Sequence, residues 1–414
     1  MDWGSSARAA WAAFWPSRLV VFGVAIYVAV AGLVPSAPEV SGELIHPFGG
    51  WPGHNLFDLV FSTPTRWDAV HFLTIASDGY SESSPVGTPE GHRSAFFPLY
   101  PGAVYVLSGF GTSLGATLIV AYGVSLACFF AALVLLHRLT TIEIGEAYAG
   151  PTLLLLSFFP TALFFGIPYS ESMFLLLAVS AFLAARTGHW AIAGVVLALA
   201  SATRVPGLLL VVPVLLLYLY GPRSDREPDF DRGRRPRYRV RPDLAWLLLA
   251  LLGLAAFSIY LHLTLDNWLA WNDAQALFGR QTIDPFSGIW AGLREAGEGI
   301  ASIADGSYRG SFAYLNVIQL AFVAFAVAGG IGALRVLPAA YGTWVLISLL
   351  PLVFSQPEGL PFWSAPRFVV VLFPLFLWLA IWTERRGMTT RVVALFAAAM
   401  AVFTAQFSLW SFVA

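Results

Sequence analysis

Lysine is absent from the 414-residue chain, so all 23 basic residues are Arg. Charge of either sign is scarce, at 11% of residues, where a soluble domain carries about 25%. That shortage excludes a water-soluble globule. With one Cys, Cys128, set inside an apolar run, neither an intrachain disulfide nor a Cys metal cluster can form. Nothing basic enough for nucleic acid appears outside a single loop, which leaves lipids and lipid-linked substrates as the partners to consider first. No repeat of fixed period and no inverted pair of broken helices is visible, which weighs against a secondary transporter.

What the chain has is apolar length: 58% of it is hydrophobic. A bilayer core takes about 20 mostly apolar residues per helix. Runs near that length fall at 18–35, 114–137, 149–166, 169–186, 189–203, 205–220, 243–264, 311–334, 336–354, 366–382 and 391–412. The expected fold is therefore an all-α polytopic membrane protein of about 11 transmembrane helices, one membrane domain over 1–414. The first run lacks a small-residue cleavage pattern and is expected to stay in the mature protein. The segment 95–110, AFFPLYPGAVYVLSGF, is short and broken by Pro and Gly. It reads as an interfacial helix.

Parity can be tested against the rule that Arg-rich loops stay cytoplasmic. With eleven spans and the N-terminus inside, Arg8, Arg18, Arg138, Arg186, Arg335, Arg385, Arg386 and Arg391 all fall inside. So does loop 221–242, with its eight Arg and four acids, which has the composition of a disordered cytoplasmic tether. The pair 189–203 and 205–220, separated by Arg204, reads as two short helices meeting at the outer surface rather than one kinked helix. Loops 36–113, 265–310 and 355–365 are left outside, where function is expected.

The first outer loop contains TRWDAVHFLTIASDGY, read as a short amphipathic helix on the membrane from about Pro64 to Ala76. Asp68 and His71 lie one turn apart, an arrangement suited to acid/base work. The competing readings are a capping box from Thr65 to Asp68 and interfacial hydrogen bonding by His71. His46, His54 and His92 lack the close spacing of a metal site, and Asp78, Glu82 and Glu90 read as solvated loop residues. No metal and no cofactor is expected.

Glu171, in FFPTALFFGIPYSESMF, is costly in so apolar a setting unless it is paired or faces water. It reads either as a site residue partnering an Arg or as a helix-start acid against the dipole. Seven Arg are expected outside: Arg66, Arg93, Arg204, Arg280, Arg294, Arg309 and Arg367. Arg204 and Arg367 lie at membrane depth, where a phosphate-binding fork and snorkelling to the headgroups both fit. Asp273 and Asp284, near Trp268, Trp271 and Arg280, could contact an acceptor.

In order, RWDAVHFLTIASDGY, SAFFPLYP, FFPTALFFGIPYSES and ATRVPG resemble the PIG-V family of mannosyltransferases and their prokaryotic relatives. The likeness covers roughly 15–385. It implies a GT-C-type bundle with interfacial helices in the first outer loop and an essential acid there, which maps to Asp68, with His71 beside it. It also implies an inverting transfer of a mannosyl or other hexosyl residue from a polyprenyl-phosphate donor to a glycan, lipid or protein acceptor. Asp68 would be general base, Arg204, Arg367 and Arg93 would hold the donor phosphate, and Arg66, Trp67, Tyr169 and Glu171 would line the substrate site. The all-Arg, Ala-rich composition suggests a prokaryotic plasma membrane with the active site on its extracytoplasmic face. A lipid or glycan flippase is the competing class, and its charges would be expected deep within several spans.

Overall fold

A computed structural model describes residues 3–31, 58–62, 64–80, 92–111, 113–230, 236–307, 313–411 and 413. His46, His54, Glu82, Glu90 and Arg309 lie outside the described residues, as does the side chain of His92.

The architecture is helical, as the apolar runs dictate: a chain in lipid must satisfy every backbone polar group internally. Helix α1 (Trp3–Val30) is followed by α2 (Asp68–Asp78), α3 (Leu99–Leu107) and α4 (Leu114–Ile144). Next come α5 (Ala149–Ser157), α6 (Glu171–Thr187), α7 (Trp190–Ser201), α8 (Pro206–Leu209) and α9 (Val211–Tyr220). A 3-10 segment over Pro242–Leu249 runs into α10 (Ala250–Leu265), and α11 (Ala270–Leu277) leads to strand β1 (Arg280–Thr282) and helix α12 (Pro285–Asp305). The chain closes with α13 (Ala313–Val336), α14 (Ala339–Ile347), α15 (Leu350–Phe354), strand β2 (Ser355–Pro357), α16 (Ala365–Val370), α17 (Pro374–Glu384) and α18 (Thr389–Ser408). All eleven apolar runs contain helix. Among the described residues, five helices are long and apolar enough to cross a membrane: Trp3–Val30, Gly115–Ile144, Pro242–Leu265, Ala313–Val336 and Thr389–Ser408. The protein is an integral membrane protein.

Breaks in the other runs fall at Pro and Gly. Between α5 and α6 the α-helix unwinds over 158–170, where Pro160, Gly166 and Pro168 sit, leaving a 3-10 turn at Ala162–Phe165. Residues 189–220 form a hairpin of α7 against α8 and α9, because Trp190 at the start of α7 packs on Tyr218 near the end of α9 with ring centroids 4.7 Å apart. Gly207 makes the tight turn possible: a Cβ there would stand 1.9 Å from the carbonyl oxygen of Ala200.

The bundle has two ends of different character. At one, Glu143 closing α4 pairs with Arg186 of α6 at 2.7 Å. There, too, lie the described residues of the Arg-rich loop, 221–230 and 236–242, which fold against the bundle where the composition suggests a tether. Arg223 is buried against Trp190, Tyr218 and Tyr238 and paired with Asp225, while Asp229 accepts from Arg239 N. Aromatic stacking lets these guanidinium groups fold back onto the bundle instead of remaining solvated. The opposite end gathers the start of α6, the turn 202–205 and α16.

Arg18 is another correction. Because α1 begins at Trp3, Arg18 is an interior residue, not an edge residue. It is 1% exposed, donates to the carbonyl of Ala162 at 2.9 Å and lies over Phe129. The unwound stretch after α5 supplies the acceptor that a buried cation needs.

Candidate active site

Helix α2 begins at Asp68, not at Pro64, and is packed within protein rather than lying on a surface: every residue from Ala69 to Ala76 is buried. Thr65 does not cap it. Its hydroxyl donates to Phe61 O and meets the Tyr122 hydroxyl at 3.0 Å. The helix starts abruptly after Trp67, whose φ of 54° lies in the left-handed region. Ser364, at the head of α16, has a φ of 73°. Non-Gly residues seldom adopt such angles, and strain of this kind collects at working sites. Here it flanks the segments that carry Asp68 and Arg367.

Those two side chains are paired. Arg367 uses a second edge of its guanidinium on Glu171, its Nε standing 2.9 Å from Oε1, and Arg204 Nη1 reaches the same oxygen at 2.8 Å. Residues from four separate parts of the chain thus form one chain of charges, Asp68–Arg367–Glu171–Arg204. Glu171 is the first residue of α6, so both readings of it hold at once: it faces the favourable end of a helix dipole and neutralises two Arg. Its side chain is 0% exposed. Arg204 and Arg367 are therefore held inside the protein and do not snorkel.

The supports come from the recognised motifs. Tyr169 donates from its hydroxyl to Arg66 O at 3.0 Å, tying the unwound stretch to the residue two places before Asp68. Thr161 Oγ1 donates to Pro366 O at 3.0 Å, and Ala365 N donates to Gln319 Oε1 at 2.9 Å, which fixes α16. Burial acts to raise the Asp68 carboxyl, but Arg367, then His71, with the hydrogen bond from Arg367 and the charge of Arg204, outweigh it and hold it below the usual carboxylate range.

Above this row of charges opens a cavity of about 560 Å³. Asp68, Arg204 and Arg367 line it, and so do His71 and Trp67. His71 stacks on Phe96 at 4.6 Å. The other sequence candidates fall elsewhere. Arg93 does not line the cavity: its Nη1 points at Gly79 O, 3.3 Å away. Arg66 is buried below, 4.6 Å from the Trp410 ring centroid. Asp284 caps α12, accepting from Phe286 N and Ser287 N, and Asp273 accepts from Asn267 at 2.9 Å. Neither acid lines the cavity. The second outer loop contributes Trp271, Asn272, Gln275 and Arg280, and the third contributes Trp363. Trp271 and Arg280 were legible in the sequence as neighbours of Asp273 and Asp284, whereas Asn272, Gln275 and Trp363 carried no signal of their own. Among the described residues no cluster of His, Cys, Asp and Glu has the form of a metal site.

The family model described as Mannosyltransferase (PIG-V) matches residues 53–219, a stretch that holds all four motifs. The resemblance to that family is thus borne out over 53–219, a narrower stretch than the 15–385 expected. A GPI mannosyltransferase 2 of Cryptococcus neoformans var. neoformans serotype D is 27% identical over 217 residues, covering 50% of each chain. A GPI alpha-1,6-mannosyltransferase 2 of Cricetulus griseus is 31% identical over 157 residues, 36% of this chain and 30% of that protein. The chain spans half or less of the length of these curated relatives. Among solved structures, the Archaeoglobus fulgidus oligosaccharyltransferase overlaps 84% of this chain and 49% of its own, with a TM-score of 0.41 and 13% identity. The oligosaccharyltransferase AglB of the same organism, in complex with an inhibitory peptide and a dolichol-phosphate, covers 95% of this chain and 55% of its own at a TM-score of 0.42 and 15% identity.

Proposed function

We propose that this chain is a membrane glycosyltransferase that moves a mannosyl or other hexosyl residue from a polyprenyl-phosphate donor to a hydroxyl of a glycan, lipid or protein, with inversion at the anomeric carbon. The observation that carries this reading is the cavity whose floor sets one accessible carboxylate, Asp68, against two Arg held by a buried Glu. Such a floor suits a reaction that takes a proton from one partner and leaves charge on another.

In the reaction, the acceptor hydroxyl gives its proton to Asp68 while its oxygen bonds to the anomeric carbon. The bond from that carbon to the phosphate oxygen breaks, and its electron pair leaves with the polyprenyl phosphate. The phosphate gains a negative charge in this step. Fixed cations in a site of low dielectric stabilise such developing charge more effectively than water does. Arg204 and Arg367 are the cations, since a planar guanidinium can offer two N–H groups to two oxygens. Arg367 also ties the donor to the base. A phosphate drawing Arg367 toward itself weakens the hold on Asp68 and raises the carboxylate's affinity for the acceptor proton. His71 orients the acceptor from its place beside Asp68.

Mannose as the sugar rests on the names of the relatives. An extracytoplasmic site rests on the Arg-rich loop packed at the far end of the bundle, the end the positive-inside rule assigns to the cytoplasm, and a prokaryotic plasma membrane rests on the all-Arg, Ala-rich composition. The test is transfer itself. Purified protein is mixed with radiolabelled polyprenyl-phosphate mannose and a membrane extract, and one fraction of the extract should gain label. Absence of transfer from mannosyl and glucosyl donors alike would sink the proposal.

A further inference from the structure

The ion pairs raise a question about the phosphate site. Arg204 and Arg367 are both compensated by Glu171, and Arg367 by Asp68 as well. Two cations against two anions leave that set neutral, whereas a donor phosphodiester brings a negative charge. A buried anion needs a cation that is not already spoken for.

Arg280 meets that need. It lines the same cavity, yet its partners are backbone carbonyls: Nη1 donates to Ser355 O at 3.1 Å and Nη2 to Trp363 O at 3.3 Å. Carbonyl oxygens orient a guanidinium without cancelling its charge. A guanidinium has five N–H donors, so three remain after these two bonds. The mounting is specific. Arg280 opens β1, which pairs antiparallel with β2 in the register Arg280↔Pro357, Gln281↔Gln356, Thr282↔Ser355. This ribbon joins the second and third outer loops, and β2 leads directly into the segment that ends at Arg367. The ribbon therefore sets the spacing between Arg280 and Arg367.

We propose that Arg280 is the residue that first binds the phosphate of the lipid-linked donor, its guanidinium paired with no acidic side chain among the described residues, while Arg204 and Arg367, already paired with Glu171 and Asp68, act on the charge that develops as the phosphate leaves. The assignment rests on the donor class proposed above and gives the phosphate site a residue from the second outer loop. Counted over Arg204, Arg280, Arg367, Asp68 and Glu171, the floor carries one net positive charge, and one phosphodiester neutralises it.

The full-length protein is reconstituted in phosphatidylcholine nanodiscs, and binding is followed by intrinsic Trp fluorescence, because Trp67, Trp271 and Trp363 line the cavity. The probes are undecaprenyl phosphate, undecaprenol and phosphatidylglycerol. Wild type should bind undecaprenyl phosphate saturably and the other two at least tenfold more weakly. Arg280→Gln should lose about ten- to a hundredfold in Kd for the phosphate, the range of charge-assisted hydrogen bonds, while Arg294→Gln on exposed α12 should bind as wild type does. Arg280→Lys, which keeps the charge but not the fork, guards against a folding defect in the Gln variant. It should weaken binding several-fold. Wild-type affinity in either Arg280 variant overturns the assignment. Equal binding of phosphatidylglycerol overturns it in favour of a headgroup site. No binding of undecaprenyl phosphate by wild type instead counts against the donor reading itself.

Discussion

At the scale of single residues, the proposed base, Asp68, is unusual. It is held below the usual carboxylate range, chiefly by Arg367 against the opposing pull of burial. The unprotonated form therefore persists at lower pH than for an ordinary Asp of pKa about 3.9. If Asp68 takes the acceptor proton, kcat/KM should be flat from neutral pH down through the range where ordinary carboxylates titrate, with its acid limb below it. An acid limb near pH 6 would point to another base. The sign for stability is the same: a carboxylate depressed in the folded state contributes above its unfolded pKa and loses that contribution as pH falls through the folded value. Asp68→Asn should lower turnover about 10²–10⁴-fold, the usual worth of a positioned base, with undecaprenyl phosphate still bound. Arg367 sets a second test at this scale. It serves Asp68 through Nη1 and Glu171 through Nε, and the single nitrogen of Lys cannot span both. Arg367→Lys should reduce turnover about a hundredfold. Steady-state kinetics near wild type in Arg367→Lys would show that the fork is not needed.

At the scale of elements, the site depends on where helices stop. Arg204 reaches Glu171 because the 189–220 run turns back at 202–205, and that turn depends on Gly207 meeting the Ala200 carbonyl closely. Gly207→Ala inserts a methyl group where no space exists, and overpacking of this kind costs about 1–3 kcal/mol. The expected result is a lower melting temperature in detergent together with lost activity, since Arg204 would shift as well. An unchanged melting temperature would mean that the hairpin has room the structure does not show. Gly166 plays a similar part inside the bundle, where a Cβ would stand 2.8 Å from Arg18 Nη1. The unwound stretch it belongs to carries Tyr169 and Glu171 to the site, so the buried Arg18 supports the site from a distance.

At the scale of the whole molecule, the separation of the two ends becomes an orientation. The Arg-rich loop packs at the end of Glu143 and Arg186, away from the cavity, and the inside-positive rule turns that separation into a topology. After replacement of Cys128, Ser224→Cys should react with an impermeant maleimide only in permeabilised cells, and Ser307→Cys, on the cavity side, in intact ones. Labelling of Ser224→Cys in intact cells would reverse the orientation and remove the cavity from the outer face.

The sequence by itself determined the environment and the segments. Apolar runs near bilayer length are sufficient to specify helices, because lipid offers backbone groups no other partner, and Pro and Gly mark where those helices break. It also singled out Asp68, Glu171, Arg204 and Arg367, since charges are too costly in such a setting to be incidental. It could not say which of them touch. Asp68 and Arg367 are 299 positions apart, and nothing in local periodicity links them. Nor could it rank the outer Arg. Arg93 and Arg280 both occupy polar loops, and only the β1–β2 ribbon carries Arg280 to the cavity while Arg93 turns to Gly79 O. The same limit explains the Arg-rich loop, whose composition reads as a tether because charge is counted without geometry. Three aromatic rings around Arg223, supplied by α7, α9 and the loop itself, decide otherwise, and that meeting exists only once the hairpin has closed.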